Sequence, residues 1–127
     1  MKLPDEYELN VLIEKIKEFQ GVLAVILFGS YAKNKMKEIS DIDIAVVVSN
    51  LDKHIESEIG SMYSSKFDVV LFHRLPIHIQ FDVFKYGKEV FCRDKNALLE
   101  IKRKVLREYI EMSDMYERIK RRLTVCE

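Results

Sequence analysis

Two hydrophobic patterns alternate along the chain. Three short runs are almost wholly apolar and rich in branched residues, at 22–28 (VLAVILF), 41–48 (DIDIAVVV) and 67–72 (FDVVLF). Continuous apolar runs of this length are typical of strands buried on both faces of a sheet. Between them, apolar residues recur every three or four positions, which indicates amphipathic helices. The order predicts an α/β domain, in which helices cover a small mixed β-sheet.

The first helix is predicted over residues 5–20, with Gly21 as its end. Its apolar positions have helical spacing: Tyr7, Val11, Leu12, Ile16 and Phe19. Another helix is predicted from Asn50, a residue type that favours helix N-termini, to the neighbourhood of Gly60.

Residues 75–87 fit two structures. The alternation of Ile77, Ile79 and Phe81 favours a strand. Pro76 at a first helical position and Gly87 at a C-terminal stop favour a helix. We predict the helix, followed by a short strand, KEVFC.

A long helix is predicted over residues 95–123. Its apolar positions keep near-heptad spacing: Leu98, Ile101, Val105, Tyr109, Met112, Tyr116, Ile119 and Leu123. One small sheet can cover only part of such a stripe, and an uncovered remainder would be an exposed apolar patch. We therefore expect this helix to pack against a partner, in a homodimer or a hetero-oligomer. The alternative is a helix packed wholly within its own domain.

Composition narrows the class of protein. A chain of 127 residues is predicted to form one domain, residues 1–127, and Lys plus Arg equal Asp plus Glu at 21 each. Zero net charge argues against a protein that coats nucleic acid, so no direct nucleic-acid binding is expected. No apolar run is long enough to cross a bilayer, and the first residues do not resemble a signal peptide. With Cys92 and Cys126 as isolated thiols, we expect a cytoplasmic protein without membrane contact.

Three acidic residues stand in or beside the apolar strands. Residues i and i+2 of a strand point to the same face, so Asp41 and Asp43 are expected to point together. Two carboxylates held this close repel each other unless a cation lies between them, and Mg²⁺ prefers such oxygen ligands. Asp68 is a third acid in an otherwise apolar strand. If that strand lies beside 41–48, the three carboxylates converge.

Gly29 and Ser30 directly follow the first strand. Glycine lets a backbone approach a ligand closely, and a serine at a helix start can bind a phosphate that the helix N-terminus attracts. Lys33 adds positive charge within what looks like a short helix. These features fit a site for Mg²⁺ and a triphosphate. Each feature by itself is more often an ordinary turn, a helix cap or a polar strand start.

The order of these residues resembles a known family. Gly29-Ser30, ten further residues and Asp41-Ile42-Asp43 match the Gly-Ser-x10-Asp-x-Asp signature of the minimal nucleotidyltransferases, small members of the DNA polymerase β-like superfamily. Asp68 falls at the position of the family's third carboxylate. The resemblance covers most of the chain and implies the nucleotidyltransferase fold.

The resemblance implies transfer of a nucleotide with two Mg²⁺ ions and ATP as substrate. Asp41 and Asp43 would bind the ions that carry the triphosphate, and Gly29 and Ser30 would hold its β and γ phosphates. Asp68 would bind the second ion and help to deprotonate the acceptor hydroxyl, which attacks the α-phosphorus and expels pyrophosphate.

The chain departs from the family where the phosphates would bind. The family often reads Gly-Ser-Arg-Ala-Arg-Gly, whereas this chain has GSYAKN, with Tyr31 and Asn34 replacing an arginine and a glycine. Lys33 keeps one positive charge but lacks the bidentate geometry of arginine. We expect weaker phosphate binding, or a site completed by another residue, with Lys35 and Arg74 as candidates.

The resemblance also implies a partner. Minimal nucleotidyltransferases are commonly paired with a helical HEPN ribonuclease toxin, which they neutralise as antitoxins, in some cases by transferring AMP to a toxin tyrosine. The implied function is that of a protein adenylyltransferase in a type VII-like toxin–antitoxin pair. Two alternatives stay open: an antitoxin that only binds and occludes the toxin, and an enzyme that modifies a small molecule, as aminoglycoside nucleotidyltransferases do.

Overall fold

A four-stranded sheet with helices on both faces forms the fold. The computed structural model describes residues 6–29, 42–49, 53–62 and 67–125. The described elements follow in the order α1 (Glu6–Lys17), β1 (Val22–Phe28), β2 (Ile42–Val48), α2 (Lys53–Gly60), β3 (Phe67–Leu71), a 3₁₀ turn (Phe72–Arg74), α3 (Ile77–Tyr86), β4 (Lys88–Cys92) and α4 (Lys95–Val125). The predicted α/β class, the mixed sheet and the long C-terminal helix are confirmed.

The sheet has the strand order β3-β2-β1-β4. Strand β2 runs parallel to β3, whereas β1 runs antiparallel to both β2 and β4. The end of β1 therefore meets the beginnings of β2 and β3 at one edge of the sheet. We call this the acidic edge; it holds Gly29, Asp43 and Asp68.

Two separate apolar cores lie on opposite faces of the sheet. On one face, Ile42, Ile44 and Val46 of β2 pack with buried residues of α1 and α2. On the other, Ala45 and Val47 pack with residues of α3 and α4. The alternation is that of a strand, whose successive side chains point to opposite faces. Because both faces are covered, β1 and β2 consist of continuous apolar residues, as their sequence indicates.

Helix α1 faces the sheet differently from the predicted stripe. Leu9, Ile13 and Ile16 are its buried residues. Tyr7 and Val11, which we placed on the apolar stripe, are exposed. The apolar arc of this helix is wider than the sheet can cover, and helical spacing alone does not say which part is buried. The helix also ends at Lys17, before the predicted residue 20.

Helix α3 settles the ambiguity of residues 75–87 in favour of the helix. Pro76 is the N-cap rather than the first helical residue, and its carbonyl accepts hydrogen bonds from the N–H groups of Ile79 and Gln80. Gly87 ends the helix, with its N–H donating to the carbonyl of Val83 at 2.9 Å. A Cβ at position 87 would collide with that carbonyl and lie 2.7 Å from Cγ2 of Ile26. Glycine therefore allows α3 to turn directly into β4.

The side chain of Arg93 links three parts of the chain. Its Nε donates to the carbonyl of Val22 at 2.9 Å, and its Nη2 donates to the carbonyls of Lys17 at 2.8 Å and Phe19 at 3.2 Å. It thus satisfies carbonyls at the end of α1, where no further helical turn can do so. Arg93 holds the α1–β1 turn against the end of β4.

We expect Arg93→Ala to lower the free energy of unfolding by about 2 kcal/mol, because charge-assisted hydrogen bonds to backbone carbonyls are lost. Arg103→Ala is the matched control. Among the described residues, Arg103 forms an exposed ion pair with Glu100 at 2.8 Å, so its loss should change stability by about 0.5 kcal/mol or less. Urea unfolding measures both. Equal stability of the two variants would show that the Arg93 contacts do not hold the turn.

Helix α4 divides into a packed half and an exposed half. Leu98 and Val105 are buried, and the ring of Tyr109 stacks on Phe81 with a centroid distance of 4.0 Å. Past Met112 the same stripe of the helix is uncovered within the described chain. We define the distal stripe as Met112, Met115, Tyr116, Ile119 and Leu123; all but the half-buried Met112 are exposed. The two alternatives considered for this helix, packing within its own domain and an exposed apolar patch, therefore both occur, each in one half of α4.

Helices of membrane-spanning length and apolarity do not occur in the part of the chain that the structure describes. Cys92 is a half-buried free thiol in β4, and Cys126 lies outside the described residues.

Candidate active site

Asp43 and Asp68 lie side by side at the acidic edge. Each is the second residue of its strand, and the two are direct partners in the parallel register of β2 and β3. Partners in adjacent strands project to the same face, which here is the face covered farther along by α3 and α4. Asp43 is half-buried and Asp68 is exposed. The two carboxylates therefore share one solvent-accessible corner.

Gly29 completes this corner. It directly follows Phe28, which lies opposite Asp43 in the antiparallel register of β1 and β2. The backbone of Gly29 has a φ of 83°, in the region that side chains with a Cβ rarely adopt. A Cβ at this position would collide with Oδ2 of Asp43 and lie 3.3 Å from its Cγ. The turn thus brings a bare backbone into contact with the Asp43 carboxylate.

Phe28 is a residue that the sequence analysis did not single out. It packs against the α3/α4 core while facing Asp43 across the sheet. This packing fixes the end of β1, and hence the position of Gly29, relative to the acid. In the sequence, its position directly before Gly29 was the only indication of this role.

Half of the predicted site lies outside the described residues: Ser30, Lys33 and Asp41, together with Tyr31, Asn34 and Lys35. The structure describes Gly29, Asp43 and Asp68 and brings these three together. Their catalytic roles, like those of the undescribed residues, stay predictions.

Arg74 does not fit the role of a phosphate-binding residue that we considered for it. It lies in the 3₁₀ turn after β3, at the edge of the sheet opposite Asp68, and forms an ion pair with Glu56 of α2. His73 beside it has its Nε2 3.9 Å from Oε2 of Glu56. Burial lowers the pKa of His73, so this contact is not an ion pair at neutral pH. Both residues are remote from the acidic edge.

The acids that are described fit a hard divalent cation. Two carboxylates on neighbouring strands repel each other, and an ion between them relieves that repulsion. Mg²⁺ is commonly held by one or two carboxylates, with waters and phosphate oxygens as its other ligands. Among the described residues no three His, Cys, Asp or Glu side chains form a group that could hold a metal. Asp41, the remaining predicted metal ligand, lies outside the described residues.

The chain matches a known protein family. The family model of the polymerase β nucleotidyltransferases matches residues 10–96, which include the whole sheet and all three carboxylates. This match covers well over half of the chain.

Two proteins of Methanocaldococcus jannaschii, both provisionally named as protein adenylyltransferases, are similar in sequence. MJ1547 is 37% identical over 70 residues, which are 55% of this chain and 56% of that protein. MJ0141 is 34% identical over 97 residues, which are 62% of this chain and 98% of that protein. The chain thus spans little more than half the length of the first relative and nearly all of the second.

Solved structures share the fold at low sequence identity. A chain from the crystal structure of a toxin–antitoxin with AMP-PNP superposes with a TM-score of 0.67 at 22% identity, covering 90% of this chain and 97% of that one. A chain from the complex of a tri-AMPylated Shewanella oneidensis HEPN toxin with an MNT antitoxin gives 0.62 at 21% identity, covering 94% and 96%. With the carboxylate pair, the glycine corner and the family match on residues 10–96, the chain belongs to the polymerase β nucleotidyltransferase family.

Proposed function

We propose that this protein transfers AMP from ATP to a hydroxyl group of a protein partner in a reaction that depends on Mg²⁺. The observation that carries the proposal is the in-register pair Asp43 and Asp68, of which Asp43 contacts the turn at Gly29. The family match supports transfer of a nucleotide. The names of the two Methanocaldococcus relatives support an adenylyl group and a protein acceptor.

The residues of the corner have distinct roles in this proposal. Asp41 and Asp43 would hold the Mg²⁺ that accompanies the triphosphate, while the backbone at Gly29 and the hydroxyl of Ser30 would bind its β and γ phosphates. Asp68 would contribute to a second Mg²⁺ site. Bound Mg²⁺ supplies a positive charge that stabilises both the attacking and the leaving oxygen.

The proton of the acceptor hydroxyl would pass to the Asp68 carboxylate, which is exposed and therefore open to an incoming acceptor. The acceptor oxygen then forms a bond to the α-phosphorus, and the bond from that phosphorus to the bridging oxygen of the β-phosphate breaks. Pyrophosphate leaves with the electron pair, and AMP stays on the acceptor.

A tyrosine of a HEPN-type toxin is the acceptor that we propose, which makes this protein the antitoxin of a type VII-like pair in the cytoplasm. Complexes of an MNT antitoxin with a HEPN toxin share this fold, and the toxin in one of them is AMPylated. The apolar residues exposed on α4 support a protein partner, because such residues are uncommon in this number on a monomer.

A binding-only antitoxin is the second candidate. Tyr31 and Asn34 replace residues that the family uses for phosphate, and the exposed half of α4 could occlude a toxin without any chemistry. The pair of acids favours the enzyme, because clustered carboxylates are costly to keep without a cation. A small-molecule substrate would need a second domain or a second subunit to form its pocket.

The decisive experiment incubates the purified protein with α-labelled ATP, MgCl₂ and the product of its neighbouring gene, which this proposal expects to be a HEPN-type toxin. We expect label on a toxin tyrosine, found by mass spectrometry and absent when that tyrosine is replaced by phenylalanine. Label should also be absent with EDTA and with the Asp41→Asn, Asp43→Asn double variant. A tight complex that forms equally with both proteins, without transfer by either, would establish the binding-only antitoxin instead.

A further inference from the structure

The distal stripe of α4 is an apolar surface that its own domain does not cover. Tyr116 is 68% exposed, Ile119 48% and Leu123 75%, and Met115 is 51% exposed. With 3.6 residues per turn, Tyr116, Ile119 and Leu123 fall on the same side of the helix as the buried Leu98 and Val105, and Met115 lies at the margin of that side. The distal stripe therefore continues the apolar side by which the first half of α4 packs on the sheet. An apolar surface from outside this domain would be needed to shield it from water.

Charges along this half of the helix are segregated. Residues 108–117 contain four acidic side chains and no basic one: Glu108, Glu111, Asp114 and Glu117. Residues 118–122 contain four basic side chains and no acidic one: Arg118, Lys120, Arg121 and Arg122.

Four of these charged residues flank the distal stripe on the same side. By helix geometry Glu108 and Glu111 precede Arg118 and Arg122 along that side, and all four are exposed. Read along the helix, this flank changes from negative to positive between Glu111 and Arg118, close to Met115.

We propose that the distal stripe binds the distal stripe of a second copy of this chain, with the two helices antiparallel about a two-fold axis. In a two-fold interface the same patch serves both subunits, so the patch must be complementary to itself. An antiparallel pair with its two-fold axis near Met115 places Glu108 of each chain opposite Arg122 of the other. It places Glu111 opposite Arg118. Flanking charges of this kind determine the partner and orientation of paired helices.

The size of the surface sets the strength of the pair. From Met112 to Leu123 the stripe is about 18 Å long, at 1.5 Å per residue. A pair of helices overlapping over this length buries on the order of 1,000 Å² in total, which is the lower end for specific interfaces. We therefore expect a dimer that forms at micromolar concentration and weakens as the salt concentration rises.

This dimer leaves another apolar face of α4 uncovered. Leu99, Leu106 and Ile110 are each between 45% and 50% exposed, and helix geometry places them about a third of a turn away from the distal stripe. The toxin of the proposed function can dock on this face while the dimer persists. The dimer itself does not depend on nucleotide transfer.

Two charge-reversed variants test the pairing. In one, Glu108→Arg and Glu111→Arg make the flank wholly positive; in the other, Arg118→Glu and Arg122→Glu make it wholly negative. Each variant alone is expected to dimerise at least tenfold more weakly than the wild type, and an equimolar mixture should regain dimers made of one copy of each. Sedimentation equilibrium from 1 to 200 μM measures dimerisation of each variant alone and of their mixture, in which one variant carries a fluorescent label. Circular dichroism verifies that the helix content is unchanged.

A pair of aspartate substitutions tests the apolar part. Ile119→Asp in the distal stripe should weaken the dimer at least tenfold, whereas Ile110→Asp, equally exposed on the other face, should leave it unchanged. A wild-type chain that stays monomeric at 200 μM overturns the proposal. So does an Ile119→Asp variant that dimerises normally but no longer binds the toxin, which would assign the distal stripe to the toxin.

Discussion

Asp43→Asn is expected to reduce nucleotidyl transfer about 10³-fold while leaving the protein folded. The substitution removes a carboxylate whose cation would supply about 4 kcal/mol of charge stabilisation in the transition state. Initial rates of AMP transfer at saturating ATP and Mg²⁺ measure the effect. Glu14→Gln on α1 is the matched control, since Glu14 is an exposed acid paired with Lys17 and lies away from the corner; its activity should be unchanged.

Stability separates a metal-binding role from a structural one. Without metal, Asp43→Asn should unfold at about the same temperature as the wild type, because asparagine keeps the size of the side chain and an oxygen that accepts hydrogen bonds. Adding Mg²⁺ should raise the unfolding temperature of the wild type and have a smaller effect on the variant. A variant that is less stable than the wild type without metal, and equally stabilised by Mg²⁺, would contradict the cation site.

Gly29→Ala should reduce transfer on the order of 10²-fold, although alanine removes no functional group. The added Cβ would collide with the Asp43 carboxylate, and the backbone conformation at a φ of 83° is strained for any residue with a Cβ. A displaced carboxylate misaligns the bound triphosphate, and misplacement by about 1 Å can cost this factor. The free energy of unfolding should fall by about 2 kcal/mol.

Gly60→Ala provides the control for this substitution. A Cβ at position 60 meets no atom within 4 Å, and the residue lies at the end of α2. Transfer should be normal, and stability should stay level or rise by about 0.5 kcal/mol. If Gly29→Ala proved as active as Gly60→Ala, close contact between the turn and Asp43 would not matter to the chemistry.

Strands β1 and β2 were predictable from the sequence because burial on both faces removes polar residues from most of their length. The bounds of β1 and β4 agree with the structure, and those of β3 differ only because Phe72 begins the 3₁₀ turn. The sequence analysis had to assume that the strands of Asp43 and Asp68 are neighbours, because the sequence alone does not show it. Parallel pairing of β2 and β3 joins residues 25 positions apart across α2, and no local pattern encodes that register.

Helical spacing predicted correctly that α1 and α4 are helices, but it did not predict which of their apolar residues are buried. In α1 the apolar residues span a broad arc, and only contact with the sheet selects Leu9 and Ile13 over Tyr7 and Val11. In α4 the stripe continues unchanged past Met112 although its surroundings change from sheet to solvent. Periodicity shows which side of a helix is apolar, but not what covers it.

The isoleucines on either side of Asp43 constrain how this protein can change over time. Ile42 and Ile44 are buried on the α1 and α2 face, so a slip of β2 by a single position would turn them to the opposite face and drive the acid into an apolar interior. Evolution can therefore delete the carboxylate and keep a folded binding protein. It cannot relocate the carboxylate along the strand without rebuilding both layers, which makes loss of chemistry an easier path for descendants than alteration of its geometry.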